Sequence, residues 1–282
     1  MTPTDPFDLR ALEQAIANTS FAGHITHLAT TPSTNDLALA AAQSGVLHGV
    51  WIAGEQTAGR GRGNRTWHSS PGDGLYMSAL ISPSIPMQSA LILSFTTAVA
   101  VQSAIASISG FHIRDQIDIR WPNDLLLNGR KCGGILIDTA SNLATPTQPA
   151  TLRYAILGIG INLNHTIFPP ELDSIATSLC RERPTPFKPL RREPLAAAIL
   201  VALDREIYRL TTDNLQPATD NSRDLTRYSS WISGKRVRVE ARDDGSGDYT
   251  GVTAGLDPRG FLRVNGDDGQ LHTVLSGGLR EP

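Results

Sequence analysis

Residues 120–138 read RWPNDLLLNGRKCGGILID, and this stretch carries the clearest signal for the fold. A strand-like run leads into it and ends before Pro122, because proline cannot donate to a sheet ladder. Asn128-Gly129 is a strong signal for a two-residue hairpin turn, and it separates two apolar runs, 125–127 and 135–137. The stretch therefore predicts an antiparallel hairpin inside a sheet.

Lys131 lies just past this predicted turn. Lysine is scarce in the chain, since only positions 131, 188 and 235 among the 25 lysine and arginine residues are lysine. A lysine in an arginine-preferring chain indicates a need for a compact point charge. Gly133 and Gly134 would let a ligand or another backbone lie against the strand. The alternative is a surface lysine with glycines tolerated at an edge, and the hairpin alone does not decide.

A second informative stretch, residues 54–70, reads GEQTAGRGRGNRTWHSS and follows an apolar, strand-like run at 49–53. Glycine lets backbone N–H groups approach an anion, and arginine offers a planar fork of donors for carboxylate or phosphate. The pattern predicts a cationic loop that closes over an anionic ligand. The alternative is a solvated Arg-Gly segment that binds RNA loosely, and the loop alone favours neither.

Two shorter segments read TPSTND at 31–36 and LGIGINL at 157–163. In the first, Ser33 is a good N-cap for a helix that starts near Asn35. The second reads as a buried strand containing two glycines. It lacks the third glycine of a dinucleotide-binding fingerprint and no helix clearly follows, so we exclude a Rossmann reading.

The rest of the chain mixes helical and strand patterns. The main helix is expected at 90–109, and a helical stripe runs from Leu195 to Leu210. Past Trp231 the chain changes to short strands separated by turn residues, which predicts a small β-barrel-like unit. We therefore predict an α+β protein with a catalytic domain at 1–230 and a small β domain at 231–282. Further strands are expected near 49–55, 74–82, 117–121, 125–127, 134–139 and 152–163.

Composition limits the function classes. The formal net charge is −2, which implies no general attraction to nucleic acid or to an anionic membrane. Cys132 and Cys180 are too few for a disulfide framework and suggest a reducing compartment. No signal peptide is recognisable, and the longest apolar run, 90–108, reads as a core helix. We expect a cytoplasmic protein without a membrane partner, and no histidine spacing suggests zinc.

Taken together and in order, these segments resemble biotin protein ligases. The resemblance covers roughly residues 25–282, and Arg120 stands where the family often has lysine. The matching segments are Ser33-Thr34-Asn35, Gln56 to Arg62 with Trp67, Arg120 to Asp124, Arg130 to Leu136, and Gly158 to Leu163. The resemblance implies a mixed-sheet catalytic domain of the biotin/lipoate ligase type followed by a small SH3-like β domain.

The resemblance also implies an activity. ATP, with Mg²⁺ on its phosphates, would activate biotin as biotinyl-5′-AMP, and biotin would pass to a lysine of a biotin carboxyl carrier protein. About 30 residues precede Ser33, which is too few for a three-helix DNA-binding domain. We therefore expect the short form of the ligase, without DNA binding. Whether the chain forms a homodimer stays open.

The resemblance assigns roles to individual residues. Trp67 could equally serve as an anchor of its loop. The alternative for Asp124 is a turn residue after Pro122, and the resemblance favours the functional role. No metal ligand is assigned. The implied catalytic residues are Lys131, Arg60, Arg62 and Asp124. The implied biotin-binding residues are Ser33, Thr34, Asn35, Gln56, Gly59, Arg60, Gly61, Arg62, Lys131, Gly134 and Gly158. The implied ATP-binding residues are Arg62, Arg65, Trp67, Asn123, Lys131, Asn162 and Arg280.

Three alternatives stand beside this reading. A lipoate or octanoate ligase or transferase would share the scaffold but have a deeper, more apolar pocket. A non-enzymatic RNA-binding module would need a basic surface interleaved with aromatic residues, whereas aromatic residues make up 6% of the chain. A relative that only binds biotin would need neither Lys131 nor both loop arginines.

Overall fold

The computed structural model describes residues 7–87, 90–113, 115–144, 150–183, 188–212, 226–240, 247–257, 259–275 and 277–282. These residues form a large sheet, a small sheet and a set of helices. The α-helices are α1 (Leu9–Ala15), α2 (Thr34–Gln43), α3 (Ala90–Ser109), α4 (Pro170–Asp173) and α5 (Arg192–Thr212).

The large sheet has seven strands in the order β1-β2-β3-β7-β6-β5-β4. β1 and β2 are parallel, and the other neighbouring pairs are antiparallel. The sheet is therefore mixed, as predicted. Its strands are β1 (Ile25–Thr31), β2 (Gly49–Gln56), β3 (Gly74–Ile81), β4 (Ile117–Arg120), β5 (Asp124–Leu127), β6 (Arg130–Asn142) and β7 (Thr151–Asn162).

The predicted hairpin joins β5 to β6. Asn128 and Gly129 both have positive φ, 48° and 79°, which is the backbone that a tight two-residue turn requires. The pairing shifts register just past the turn, because Leu126 faces Lys131 whereas Leu125 faces Gly133. Cys132 is the extra residue of this bulge.

The two faces of the large sheet carry different layers. Helices α3 and α5 pack against each other and cover one face, whereas α2 contacts β2, β3 and β7 on the other. Helix α3 is long and apolar enough to cross a membrane by length and composition, but much of it is buried in the core. Gly110, with φ of 76°, follows the end of this helix.

Sheet register sets up the surface on which the site lies. Ser78 of β3 pairs with Gly158 of β7, which pairs in turn with Leu136 of β6. One step along the same face, Gly160 pairs with Gly134. Because side chains alternate between faces, these glycines leave a shallow depression beside α2.

The small sheet is antiparallel throughout, in the order β11-β10-β9-β8-β12, which is consistent with an SH3-like unit. It packs on the large domain, since Trp121 Nε1 donates to Gly260 O at 3.2 Å. In the segment that leads into β8, Ser230 N donates to the Asp118 carboxylate at 2.9 Å. Its strands are β8 (Ser233–Glu240), β9 (Tyr249–Leu256), β10 (Leu262–Gly266), β11 (Leu271–Val274) and β12 (Gly278–Arg280).

The α+β prediction is confirmed, with differences in detail. Strands β1 and β12 were not predicted, and β6 runs well beyond the expected 134–139 at both ends. β1 is an edge strand with only one buried residue, so it lacks the apolar pattern of a core strand. The domain boundary at 230/231 stays a prediction.

Candidate active site

The start of α2 presents three buried polar side chains. Ser33 is its N-cap and accepts from Asp36 N at 3.4 Å. Thr34 and Asn35 are 3% and 5% exposed, and their side chains bond away from their own helix. Helix capping therefore accounts for the buried side chain of Ser33, but not for those of the two residues that follow it.

Thr34 is joined to β2 and β3 by hydrogen bonds. Its N–H donates to Gln56 Oε1 at 2.8 Å, and its hydroxyl lies 3.1 Å from the same oxygen. Gln56 Nε2 donates in turn to Ser69 Oγ at 3.3 Å. The Ser78 hydroxyl lies 2.7 Å from Thr34 Oγ1 and 2.5 Å from Asn35 Oδ1. The result is a fixed polar floor.

Asn35 connects this floor to Arg60. Asn35 Nδ2 donates to Asp138 Oδ2 at 3.0 Å, and Arg60 donates to that same oxygen at 2.8 Å. The other terminal nitrogen of Arg60 lies 2.5 Å from Asp36 Oδ1. Two carboxylates from different elements thus hold the first loop arginine over the depression.

Lys131 is held by a carboxylate from its own hairpin. Its Nζ lies 2.6 Å from Asp124 Oδ1, and Arg120 donates to Asp124 Oδ2 at 2.7 Å. Burial alone would raise the pKa of Asp124, but the positive charges of Lys131 and Arg120 and their hydrogen bonds lower it. Asp124 is therefore ionised at neutral pH, between two cations.

Trp67 lies across the glycines of β6 and β7. A Cβ added to Gly160 would come within 2.7 Å of its indole, and one added to Gly134 within 3.2 Å. Lys131 Nζ is 5.5 Å from the centre of the Trp67 ring. These glycines, and Gly158 beneath Asn35, make room for the protein's own side chains. The biotin-binding role of Gly134 and Gly158 stays a prediction.

Arg62 approaches the site from a short 3₁₀ turn, Arg62–Asn64. It donates to Asn123 Oδ1 at 3.3 Å. Asn123 is fixed by β6, because its Nδ2 donates to Ile135 O at 3.0 Å. The second loop arginine therefore reaches the residues just before the β5–β6 hairpin.

One cavity brings most of the predicted site residues together. Those that line it are Ser33, Thr34, Asn35, Gln56, Arg60, Gly61, Arg62, Trp67, Asn123, Lys131, Gly134 and Gly158. Asp124 contacts it through Lys131. Further lining residues that no motif indicated are Met77, Ile135, Leu136, Ile159 and Gly160. Asp36, Asp138 and Ser78 were not predicted either, because their partners are distant in sequence.

Besides Asp124, four predicted residues lie outside this cavity. Gly59 packs against Ser69 and Trp67, and Arg65 lines a second cavity beneath the loop. Asn162 is buried and donates to Thr177 O at 3.0 Å. Arg280 of the small sheet lies 3.3 Å from Glu240. Their assigned roles stay predictions.

The chemistry of Cys132 follows from its burial. Burial raises the pKa of this thiol to about 12, although Lys131 is its neighbour. It is a filler in the bulge and not a reactive thiolate. Within the described residues, no group of three or more His, Cys, Asp or Glu side chains is arranged to hold a metal ion.

Comparison with known proteins identifies the class. Residues 28–162 match the biotin/lipoate A/B protein ligase family, and residues 232–277 match the biotin protein ligase C-terminal domain. The fold is that of a biotin protein ligase from Aquifex aeolicus in complex with biotin and ATP, with a TM-score of 0.70 and 24% identity. That match covers 92% of this chain and 100% of the other.

Proteins similar in sequence show to which family within this class the chain belongs. The chain is 33% identical to a biotin--[acetyl-CoA-carboxylase] ligase of Mycobacterium tuberculosis, over 97% of its own length and 94% of the relative's. It is 34% identical to the bifunctional ligase/repressor BirA of Bacillus subtilis over 77% of its own length, and it spans 62% of that relative. The chain belongs to the biotin protein ligase family.

Proposed function

We infer that this chain is an ATP-dependent ligase that activates biotin as biotinyl-5′-AMP and transfers it to a lysine of a biotin carboxyl carrier protein. One observation carries the inference beyond family membership. The cavity has a polar hydrogen-bonded floor at Thr34, Asn35 and Gln56 and a cationic rim formed by Arg60, Arg62 and Lys131. A ligand with a polar head and an anionic end fits such a cavity.

The polar floor suits the ureido ring of biotin. Ser33, Thr34, Asn35 and Gln56 offer hydroxyl and amide groups whose orientations are already fixed by their neighbours. A site with ordered polar groups discriminates strongly against a ligand that leaves them unpaired. This supports biotin over the apolar lipoyl and octanoyl groups, and we assign the four residues to the ring.

The cationic rim suits the first chemical step. An oxygen of the biotin carboxylate attacks the α-phosphorus of ATP, and pyrophosphate leaves with the electron pair of the broken P–O bond. Two anions must approach each other, so positive charge on the protein lowers the barrier. We assign Lys131 to the charge that develops between carboxylate and phosphate, and Arg60 and Arg62 to closure over biotin and the adenylate.

The second step transfers biotin. The uncharged amine of the acceptor lysine attacks the carbonyl carbon of the mixed anhydride. An amide bond forms, AMP leaves with the electron pair of the broken C–O bond, and the nitrogen gives up one proton to solvent. Asp124 is ionised and lies beside Lys131, so we assign it to positioning the incoming amine. Lys131 itself remains a charge stabiliser, because its ammonium is paired with Asp124 and is not a free nucleophile.

For the nucleotide, we propose Trp67, Asn123, Arg62 and Lys131 as the residues nearest to the phosphates and base. Both oxygens of Asp124 already face cations, so a protein cage for Mg²⁺ is not preformed there. We therefore expect Mg²⁺ to arrive bound to the phosphates of ATP and to keep several of its water ligands. When bound, the ion would neutralise the leaving pyrophosphate. Arg65, Asn162 and Arg280 complete the proposed set.

Two wider assignments belong to the same proposal. The partner is the carrier domain that presents the acceptor lysine. The working compartment is the cytoplasm, supported by Cys132 and Cys180, which are both buried and unpaired. We expect no binding to duplex DNA.

The test is direct. The purified chain is incubated with biotin, ATP, Mg²⁺ and a biotin carboxyl carrier domain, and the product is probed with streptavidin. Biotin-dependent exchange of pyrophosphate into ATP measures the first step separately. We expect both signals with biotin and neither with lipoate or octanoate. Exchange with lipoate but not biotin would overturn the substrate assignment.

A further inference from the structure

A series of charged groups extends from Lys131 to the small sheet. Asp124 bridges Lys131 and Arg120, with one carboxylate oxygen on each, at 2.6 and 2.7 Å. The guanidinium carbon of Arg120 lies 5.7 Å from the centre of the Trp231 ring. Trp231 lies two residues before β8, the first strand of the small sheet. Arg120 therefore contacts both the active-site carboxylate and the segment that leads into the small sheet.

The small sheet supplies further charges around the same ring. Lys235 Nζ lies 4.7 Å from the centre of Trp231, and it also lies 2.8 Å from Glu281 Oε1 near the C-terminus. Trp231 is only 5% exposed. A cation within about 6 Å of an indole face is attracted to it, and more strongly where water is excluded. The position of Trp231 therefore biases the position of Arg120.

Contacts within its own hairpin do not by themselves fix the side chain of Arg120. Arg120 and Asp124 are the closing pair of the short β4–β5 hairpin, and both side chains are mostly buried. Arg120 has one hydrogen bond from its guanidinium within the described residues, and that bond is to Asp124. The Trp231 ring lies beside Arg120 from outside this hairpin, and the Glu281 carboxylate, also from outside it, interacts with the charge of Arg120.

We propose that Arg120 is a positioning residue through which the small sheet sets the geometry of Asp124 and Lys131. The proposal rests on the function inferred above, because it assigns the coupled residues to that reaction. Arg120 does not touch the reacting atoms. It holds Asp124, and Asp124 holds the ammonium that stabilises the developing charge. The coupling therefore affects the rate of adenylation and leaves the polar floor at Thr34 and Gln56 unchanged.

A double-mutant cycle tests the route. Arg120→Met, Asp124→Asn and the double variant are compared by kcat and by KM for biotin in pyrophosphate exchange. We expect Arg120→Met to lower kcat about tenfold, the size of one lost charged hydrogen bond, with little change in KM. Arg120→Lys retains the charge and should restore most of the rate. The double variant should be no slower than Asp124→Asn alone, whereas additive losses would overturn the proposal.

A second readout does not depend on activity. Because the chain has three lysines, ¹³C labelling of the lysine ε-carbon gives three signals, and Lys188→Arg and Lys235→Arg variants assign them. We expect Trp231→Leu and Arg120→Met to move the Lys131 signal, whereas Trp231→Phe should move it less. Arg236→Met, which removes an exposed pair with Asp267 in the same sheet, is the matched control.

The outcomes separate the two proposals. If the wild-type chain catalyses no exchange, the proposed function fails, and the ¹³C signals still report on the coupling. If exchange is normal but the Lys131 signal is the same in Arg120→Met and in the control, the inference fails. Should Trp231→Leu not fold, Trp231→Phe and Arg120→Met carry the comparison against Arg236→Met.

Discussion

The side-chain amide of Asn35 occupies the space directly above Gly158. A Cβ at position 158 would lie within 2.9 Å of Asn35 Nδ2 and even closer to its oxygen. The same amide contacts Ser78 and Asp138, so one glycine on β7 determines where three polar groups meet. The backbone of the sheet thus decides the geometry of the polar floor.

Gly158→Ala should displace Asn35 and separate Asp138 from the polar floor. We expect biotin to bind about tenfold more weakly, because about one hydrogen bond of roughly 1.5 kcal/mol is lost. Isothermal titration calorimetry measures the affinity. Asn35→Ala gives the reference effect, and the double variant should bind no more weakly than Asn35→Ala. Unchanged affinity in Gly158→Ala would mean that Asn35 does not contribute to the ligand site.

Lys131→Ala should abolish most adenylate formation. Removal of one electrostatic donor at the developing charge typically costs a factor of about 10²–10³ in rate. The measurement is biotin-dependent pyrophosphate exchange, with thermal unfolding as a check that the fold is intact. Lys188→Ala, at an exposed position, is the matched control. A near-normal exchange rate would assign Lys131 to a structural ion pair only.

The two carboxylates on Arg60 should contribute unequally. Asp138 is 28% exposed and also accepts from Asn35, whereas Asp36 is 48% exposed. Exposed ion pairs contribute about 0.2–1 kcal/mol and are screened by salt. We therefore expect Asp138→Asn to raise KM for biotin several-fold and Asp36→Asn by less than about twofold. Equal effects that vanish together in high salt would argue against a special role for Asp138.

Stability should fall in mild acid through His165. The ring is buried and stacks on Phe168, with centroids 5.1 Å apart. Burial, with the charge of nearby His68, lowers its pKa to about 4, from 6.5. Because the unfolded chain then binds the proton first, the stabilising contribution is complete above pH 6.5. It is lost progressively as the pH falls from about 6.5 to about 4.

Urea unfolding of the wild-type chain at pH 7 and pH 5 measures this effect. From pH 7 to pH 5 the unfolding free energy should fall in both proteins. We expect the fall to be about 2 kcal/mol smaller in His165→Phe than in the wild type. His27 and His48 have pKa values that burial lowers in the same direction, so the difference between variants isolates His165. An exposed substitution, His112→Gln, should behave as the wild type does.

Local patterns predicted the parts of the fold that are local. The β5–β6 hairpin was readable because Asn128-Gly129 specifies its own backbone and the flanking runs are apolar. Helix α3 was readable because its apolar run is long and ends at Gly110. Strand β1 was not, because it owes its place to parallel pairing with β2, and its own side chains are mostly not buried. Strand β12 was not predicted either, because its three residues are too few to show a strand pattern.

The same division applies to the candidate site. Lys131 and Arg60 stood out by their types and their glycine neighbours, but their roles came from the resemblance to biotin protein ligases and stay predictions. Asp138 was not, because it lies at an unremarkable place in an apolar strand and its partners, Asn35 and Arg60, come from other elements. Gly160 was read only as part of a strand, because the Trp67 ring that covers it belongs to a loop.

The short β5–β6 hairpin has a consequence for the order of folding. It brings the Asp124–Lys131 pair together within one closed turn, whereas Asn35 and Asp138 are 103 residues apart in sequence. Hairpins form in about 1–10 μs, but contacts across long loops wait until most of the chain has condensed. The charged half of the cavity should therefore assemble first and the polar half last. During refolding, protection of the Asp124–Lys131 hairpin in pulsed hydrogen exchange should precede the return of biotin binding.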